Sequence, residues 1–418
     1  MRRRSTRESV VKSRRTSTAR AAPLLAYTTT VVGAHSVPRW FEALDSQVGV
    51  GVLTDEDMLD AQWRASQGAL ADQEATGIDV VNGGELHRRR HNRHSPPNAM
   101  LNHFWVKLPG FARDPEDESK ILTRPMRITP RDPNVFHPAA VCTGPIGYAD
   151  LGLVDEFAFV AKYARNPDNV KVTMTGPHAL ARITWDEYYG DVAAMMMDLA
   201  RVINRNLQDL EDAGCGHIQL DEPLLSMSGM RREEVRAAID ASNQCWEGIS
   251  AFRWQHVCQG NYAVGAHYDG QIGHRYFDIE EYPVDLICEL DCDAIMNEGD
   301  MTPRYEGKLK NQQLAIGVVD VQDLGVESPD TLVERLDSWA SGWLEPERTL
   351  LTSSCGMNHL PRHIANRKLE AMTGAKALLL GRAAGLTGVS ESPSAAGRRE
   401  APIERYSGRV TAPSNDAH

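Results

Sequence analysis

The stretch "RWQHVCQGNY", residues 253 to 262, sets His256 and Cys258 one residue apart. In a β-like run residues i and i+2 share a face, so the imidazole and the thiol would point the same way. That pair of donors suits Zn2+ and is wrong for Mg2+ or Ca2+, which take oxygen ligands. Cys355, in "TLLTSSCG", and Glu298, in "DAIMNE", stand at the ends of two further apolar runs. Zinc fingers and ribbons bring their ligands in paired short clusters, so only a fold that gathers distant strand ends could assemble these four. A carboxylate on a thiolate-rich zinc is the ligand most easily displaced by an incoming sulfur. Such a site would bind a substrate thiol, lower its pKa and hold it as a nucleophilic thiolate.

Other acids end similar runs: Glu85 in "IDVVNGGE", Asp221 and Glu222 in "GHIQLDEP", and Asp320 in "LAIGVVD". Beside a metal-bound thiol, Glu85, Asp221 and Glu222 would pair with an ammonium group. The expected substrate is then an amino acid that carries a thiol.

The elements that must position these residues are short β-branched or apolar runs. They begin at Thr28, Ile78, Val170, Gly216, Arg253, Asp293, Leu314 and Thr349. Helical patterns lie between several of them. The clearest spans Asp191 to Ala213, where Val192, Met195, Met196, Leu199, Val202, Ile203, Leu207 and Leu210 recur near a 3.6 period and Gly214 ends the segment. Eight strands alternating with helices predict an α/β fold, a (β/α)8 TIM barrel with long strand-to-helix loop insertions. In that fold the residues just beyond each strand converge at one mouth, which is where the reactive types above fall.

A chain of 418 residues fits one large barrel, with the barrel expected over 25–385. Residues 1–24 form a basic Arg- and Ser-rich arm that reads as disordered or as a transit peptide, and 386–418 read as a disordered tail rich in Ser, Pro, Ala and Arg. The formal net charge of −12 argues against nucleic acid as a partner despite "HRRRHNRH" at 87 to 94. No run approaches the roughly 18 apolar residues of a membrane span. Seven scattered cysteines, an odd number, favour thiols in a reducing compartment, and the expected location is cytoplasmic.

Taken together, "TTTVVGAHSVPR", "IDVVNGGE", "TMTGP", "IQLDEP", "HVC", "LDCDAIMNE", "GVVDVQDLGVESPDTLVERL" and "SSCG" resemble, in order, the catalytic domain of cobalamin-independent methionine synthases. The likeness covers roughly 25 to 380 and is to the short, single-barrel members. It implies a methyltransferase of the methyltetrahydropteroyltriglutamate–homocysteine type, with Zn2+ held by His256, Cys258, Glu298 and Cys355. It further implies that Asp221 and Glu85 hold the amino group of homocysteine and that Ser36 meets its carboxylate. Other short relatives act on thiols such as coenzyme M or take methyl from a corrinoid protein, so the donor is either methyltetrahydrofolate or a methylcorrinoid carrier.

Departures from the family pattern fall mainly on the donor side. Ala34 and His35 are inserted before Ser36. Asp320-Val321-Gln322 stands where long members have an Asp-x-His proton relay, and Gln cannot relay a proton as His does. Trp185 is offset from the position of a pterin-stacking Trp. Asp320, Asp323, His35, His267 and His274 are the candidates to supply the missing proton. Arg88, Arg89, Arg90 and Arg93 follow Glu85 on a long loop, which reads either as a solvated face or as an anion clamp for a polyglutamyl tail or an acidic donor protein.

Overall fold

In this computed structural model, residues 22–88, 100–126, 137–226, 232–257, 286–290, 312–340 and 342–385 are described. Two compact units divide the chain. Met1–Leu380 holds every strand described; Gly381–His418 is described over 381–385, the end of the last helix and the turn after it. In chain order the strands are β1 (Arg113–Asp114), β2 (Asp117–Ile121), β3 (Thr123–Met126), β4 (His137–Cys142), β5 (Lys171–Thr175), β6 (Thr184–Asp186), β7 (His217–Asp221), β8 (Phe252–His256), β9 (Leu286–Leu290), β10 (Gln313–Val319) and β11 (Thr349–Ser353). The helices are α1 (Arg39–Gly49), α2 (Asp55–Ala75), α3 (Asn102–Trp105), α4 (Leu153–Tyr163), α5 (Pro177–Arg182), α6 (Val192–Asp212), α7 (Arg232–Cys245), α8 (Pro329–Ala340) and α9 (Arg362–Ala383).

The apolar runs from Val170, Gly216, Arg253, Leu314 and Thr349 become β5, β7, β8, β10 and β11. With β9 they form one six-stranded sheet in the order β11-β10-β9-β8-β7-β5, parallel throughout. β5, β7, β10 and β11 are buried along their whole length, the pattern of parallel strands covered on both faces. The sixth run, expected from Asp293, lies outside the described residues. The strand between β8 and β10 is instead Leu286–Leu290.

The first two runs contribute bridges rather than full strands. Thr29 pairs with Leu351, Thr30 with Val80, and Val81 with Val170, all parallel. Backbone hydrogen bonds follow the same path, from Tyr27 N to Thr349 O, Val80 N to Thr29 O and Lys171 N to Val81 O. Segments 27–30 and 80–81 thereby continue the hydrogen-bonding from β11 to β5.

α6 forms where its periodicity predicts. The Asp191 side chain accepts from Ala193 N at its start, Met195, Met196, Leu199, Ile203, Leu207 and Leu210 are buried, and Gly214 follows with φ 102°. Met195 and Met196 belong to the main apolar core. The long insertion after the second run carries structure of its own: β1 and β2 pair antiparallel, and β3 and β4 join β6, which follows β5, in a small mixed sheet. Among the described residues no helix is long and apolar enough to cross a membrane. The expected tails lie outside the described residues except for Ala22, Pro23 and Leu24.

Candidate functional site

Parallel strands end on one side of their sheet, and the register of β5, β7 and β8 sets Thr175 beside Asp221 and Asp221 beside His256. Both Asp221 and His256 are buried. Two positions earlier on the same face, Gln219 donates its amide to Asp221 Oδ1 at 2.6 Å and to Val32 O at 2.8 Å. A fully buried amide thus fixes the orientation of the acid.

Glu85 reaches the same rim from a turn. Its backbone is left-handed, φ 58°, directly after Gly84 at φ 65°. A non-glycine residue there carries a strain of order 1 kcal/mol. The side chain is tied to β5 by the Thr173 hydroxyl, which donates to Glu85 Oε1 at 2.6 Å. Gly33 leaves room for the carboxylate: a Cβ there would sit 2.3 Å from Glu85 Oε1.

Arg88 belongs neither to a solvated face nor to an open clamp. Its guanidinium is buried, donating to Glu156 Oε2 from Nε at 3.1 Å and from Nη2 at 2.7 Å, and to Thr173 O at 2.6 Å. Burial opposes ionisation of Glu156, but the charges of Arg88 and His87 outweigh it and hold the carboxyl at about 2. His87 also stacks on Trp63, centroids 4.5 Å apart. Arg89, Arg90 and Arg93 lie outside the described residues.

Glu222 turns away from the rim and into the protein. Its side chain is fully buried, Oε1 accepting from His178 N at 2.9 Å and Oε2 from Ala179 N at 2.8 Å, so it caps α5. Burial pushes its carboxyl up to about 7. Gly176 is required beside it, since a Cβ there would meet Glu222 Oε1 at 2.1 Å.

Segment 34–36 stitches the turn of Glu85 to the loop after β11. His35 N donates to Gly84 O at 3.0 Å and Met357 N to Ala34 O at 2.7 Å. Ser36 Oγ donates to Leu360 O at 2.6 Å, so its proton is engaged by backbone. The His35 ring lies 3.4 Å from Asp72 Oδ2. Arg362 binds the same carboxylate, and together the two partners outweigh its burial and hold it well below the usual carboxylate range.

Asp320 ends β10. Its Oδ1 accepts from Gln322 N at 2.8 Å, and its own N–H donates to Glu327 Oε1 at 2.8 Å. A histidine the sequence reading passed over meets this turn: His359 Nε2 donates to Val321 O at 2.7 Å. Its position four residues after Cys355, in a strand-end loop, was the available signal. Asp323 accepts from Gly325 N at 2.9 Å; His267 and His274 lie outside the described residues. Trp185 is a surface residue of β6 with the Arg124 guanidinium 5.4 Å from its ring centroid.

Of the four expected metal ligands, His256 and Cys355 are described, both buried at strand ends of one rim. Cys258 and Glu298 lie outside the described residues. Among the described residues no group of three His, Cys, Asp or Glu is gathered to hold a metal. The chemistry of the described half, an imidazole at the end of β8 and a thiol just beyond β11, fits Zn2+. Three other cysteines are unsuited to reaction: burial pushes Cys142 up, Cys215 up to about 12, and Cys245 well above the usual thiol range.

The family model described as "Cobalamin-independent synthase, Catalytic domain" matches residues 27–377. A methionine synthase of Pyrococcus horikoshii is 30% identical over 351 residues, covering 84% of this chain and 92% of the relative. One of Pyrococcus furiosus is 31% identical over 347 residues, covering 83% and 91%. Among solved structures, a B12-independent methionine synthase from a Shewanella species, in complex with selenomethionine, superposes with a TM-score of 0.68 at 19% identity, covering 87% of this chain and 100% of that one. At that identity the likeness speaks to the fold alone.

Proposed function

The chain belongs to the cobalamin-independent methionine synthase family, and from that premise we propose a zinc-dependent transfer of methyl to the thiol of homocysteine, giving methionine. It is a methyltransferase. The observation that carries the assignment to this site is the common rim of Glu85, Asp221, His256 and Cys355, the strand-end residues that this chemistry requires. The fold reading goes with it: a (β/α)8 barrel over 25–385, closed where 27–30 and 80–81 bridge β11 to β5, is supported by the continuous hydrogen bonds along that path.

Zinc would be held by His256 and Cys355 together with Cys258 and Glu298. When bound, it lowers the pKa of a coordinated thiol so that sulfur is nucleophilic at neutral pH. The chain's own residues do the rest. Glu85, held by Thr173, and Asp221, held by Gln219, present two carboxylates to the substrate ammonium. The Ser36 hydroxyl can donate to the substrate carboxylate only by releasing Leu360 O.

On the donor side, a methyl on a tertiary pterin amine leaves only once that nitrogen is protonated. Gln322 cannot supply the proton. Asp320 remains as an acid, and His359 places an imidazole against the same turn. The loss of His at 322 favours a donor that is already activated, such as a methylcorrinoid carrier, over methyltetrahydrofolate.

Three measurements test this reading. Metal analysis should find one zinc per chain, with much less in Cys355→Ser and Cys258→Ser; full occupancy in both variants removes the zinc assignment. Zinc-loaded protein assayed with methyltetrahydrofolate, its polyglutamate form and methylcobalamin should turn over the last best. Equal rates with coenzyme M and homocysteine would move the acceptor to a thiol without an amino group.

A further inference from the structure

Glu85 is held by two groups, Thr173 and Arg88, that are fastened to each other. Thr173 donates its hydroxyl to Glu85 Oε1 at 2.6 Å while its carbonyl accepts from Arg88 Nη2 at 2.6 Å. Arg88 Nη1 in turn lies 3.4 Å from Glu85 Oε1. The remaining edge of the guanidinium is clamped by Glu156, and its face lies over the Phe104 ring, 5.4 Å from the centroid. Arg88 is thus fixed on every side, three residues along the chain from the acid it faces.

We propose that Arg88 is a positioning residue for the amino-acid substrate, holding Glu85 in place to receive the ammonium group. The inference rests on the reading of Glu85 and Asp221 as the acids that take that group. With Arg88 Nη1 beside Oε1 and the guanidinium anchored on Glu156, the Glu85 carboxylate has a fixed place before the substrate arrives. An unopposed cation would also repel an incoming ammonium. Glu156 prevents this by balancing the charge of Arg88. A guanidinium suits the place because it cannot lose its proton and its planar fork reaches Glu156 through Nε and Nη2, Thr173 through Nη2 and Glu85 through Nη1, which one ammonium cannot reproduce.

The test is calorimetric binding to zinc-loaded full-length protein, independent of any methyl donor, with homocysteine and its desamino analogue 4-mercaptobutyrate as ligands. In Arg88→Met the Kd for homocysteine should rise at least tenfold, with the analogue changed less than twofold and zinc content intact. Arg88→Lys should lie between wild type and Arg88→Met, and remains informative if the Met variant does not fold. Arg88→Met combined with Glu85→Gln should bind homocysteine no worse than the weaker single variant, since both remove one interaction. An unchanged homocysteine Kd in Arg88→Met and Arg88→Lys, or an equal loss for both ligands, overturns the inference. Glu85→Gln separates the two layers. If it fails to discriminate between the ligands, the ammonium reading falls and this inference with it; if it discriminates and Arg88 does not, only Arg88's role falls.

Discussion

The Thr173 hydroxyl donates to Glu85 Oε1 at 2.6 Å and so fastens a left-handed turn residue to the middle of a buried strand. The bond aligns a carboxylate on a loop with acids on the rim of the sheet. Thr173→Val keeps the shape and removes the donor, which should weaken homocysteine binding about five- to tenfold, the effect of roughly 1 kcal/mol. Calorimetry that finds unchanged affinity would show that Glu85 is placed by its backbone alone.

Gly33→Ala probes the same carboxylate from the other side. The added methyl would stand 2.3 Å from Glu85 Oε1, and the flexible end of the Glu85 side chain, rather than the backbone, would move. Homocysteine Kd should rise tenfold or more while the melting temperature falls by only a few degrees. A large loss of stability with normal binding in the surviving protein contradicts this.

Glu222→Gln separates the two neighbouring acids of "LDEP". Glu222 accepts from two backbone N–H groups at the start of α5, and an amide can accept only one of them. Urea unfolding should show a loss of about 1–3 kcal/mol. Homocysteine affinity should stay within twofold, because Asp221, not Glu222, faces the rim. A selective rise in homocysteine Kd would return Glu222 to the binding site.

His217 gives the fold an acid-sensitive point at the end of β7 opposite Asp221. Burial, then the charge of Lys171, lowers its pKa from 6.5 to about 4. The folded-state value is depressed, so its contribution is complete above pH 6.5 and is lost as pH falls through 4; its full size is of order 3 kcal/mol. Unfolding midpoints in urea should drop over that window, and His217→Gln should flatten the dependence. An identical slope in the variant would assign the acid sensitivity to other groups.

What could be read from residue order alone was local. α6 is legible because one segment carries its own period, its Asp191 cap and its terminating Gly214. The rim residues are legible because parallel strands put their final residues together, so an acid or ligand at the end of an apolar run has a predictable address. Arg88 was not legible: in a run of arginines it reads as surface, and the partner that buries it, Glu156, is 68 residues away. The strands of the insertion were missed for a related reason, since segments such as "DESKI" carry too few apolar residues to show a period of two. Glu222 looks equivalent to Asp221, although it follows the last residue of β7 and its side chain turns back to the start of α5.

Because Tyr27 N bonds to Thr349 O and Thr30 N to Leu351 O, one of the first β segments to leave the ribosome pairs with one of the last. Until β11 emerges, segment 27–30 has no partner on that side and β10 presents an open edge. Pairing across such a sequence separation is slow, and unpaired edges invite other chains. A nascent chain stalled before Thr349 therefore carries sticky β surface into the crowded cell, and its expected fate is capture by a chaperone or aggregation.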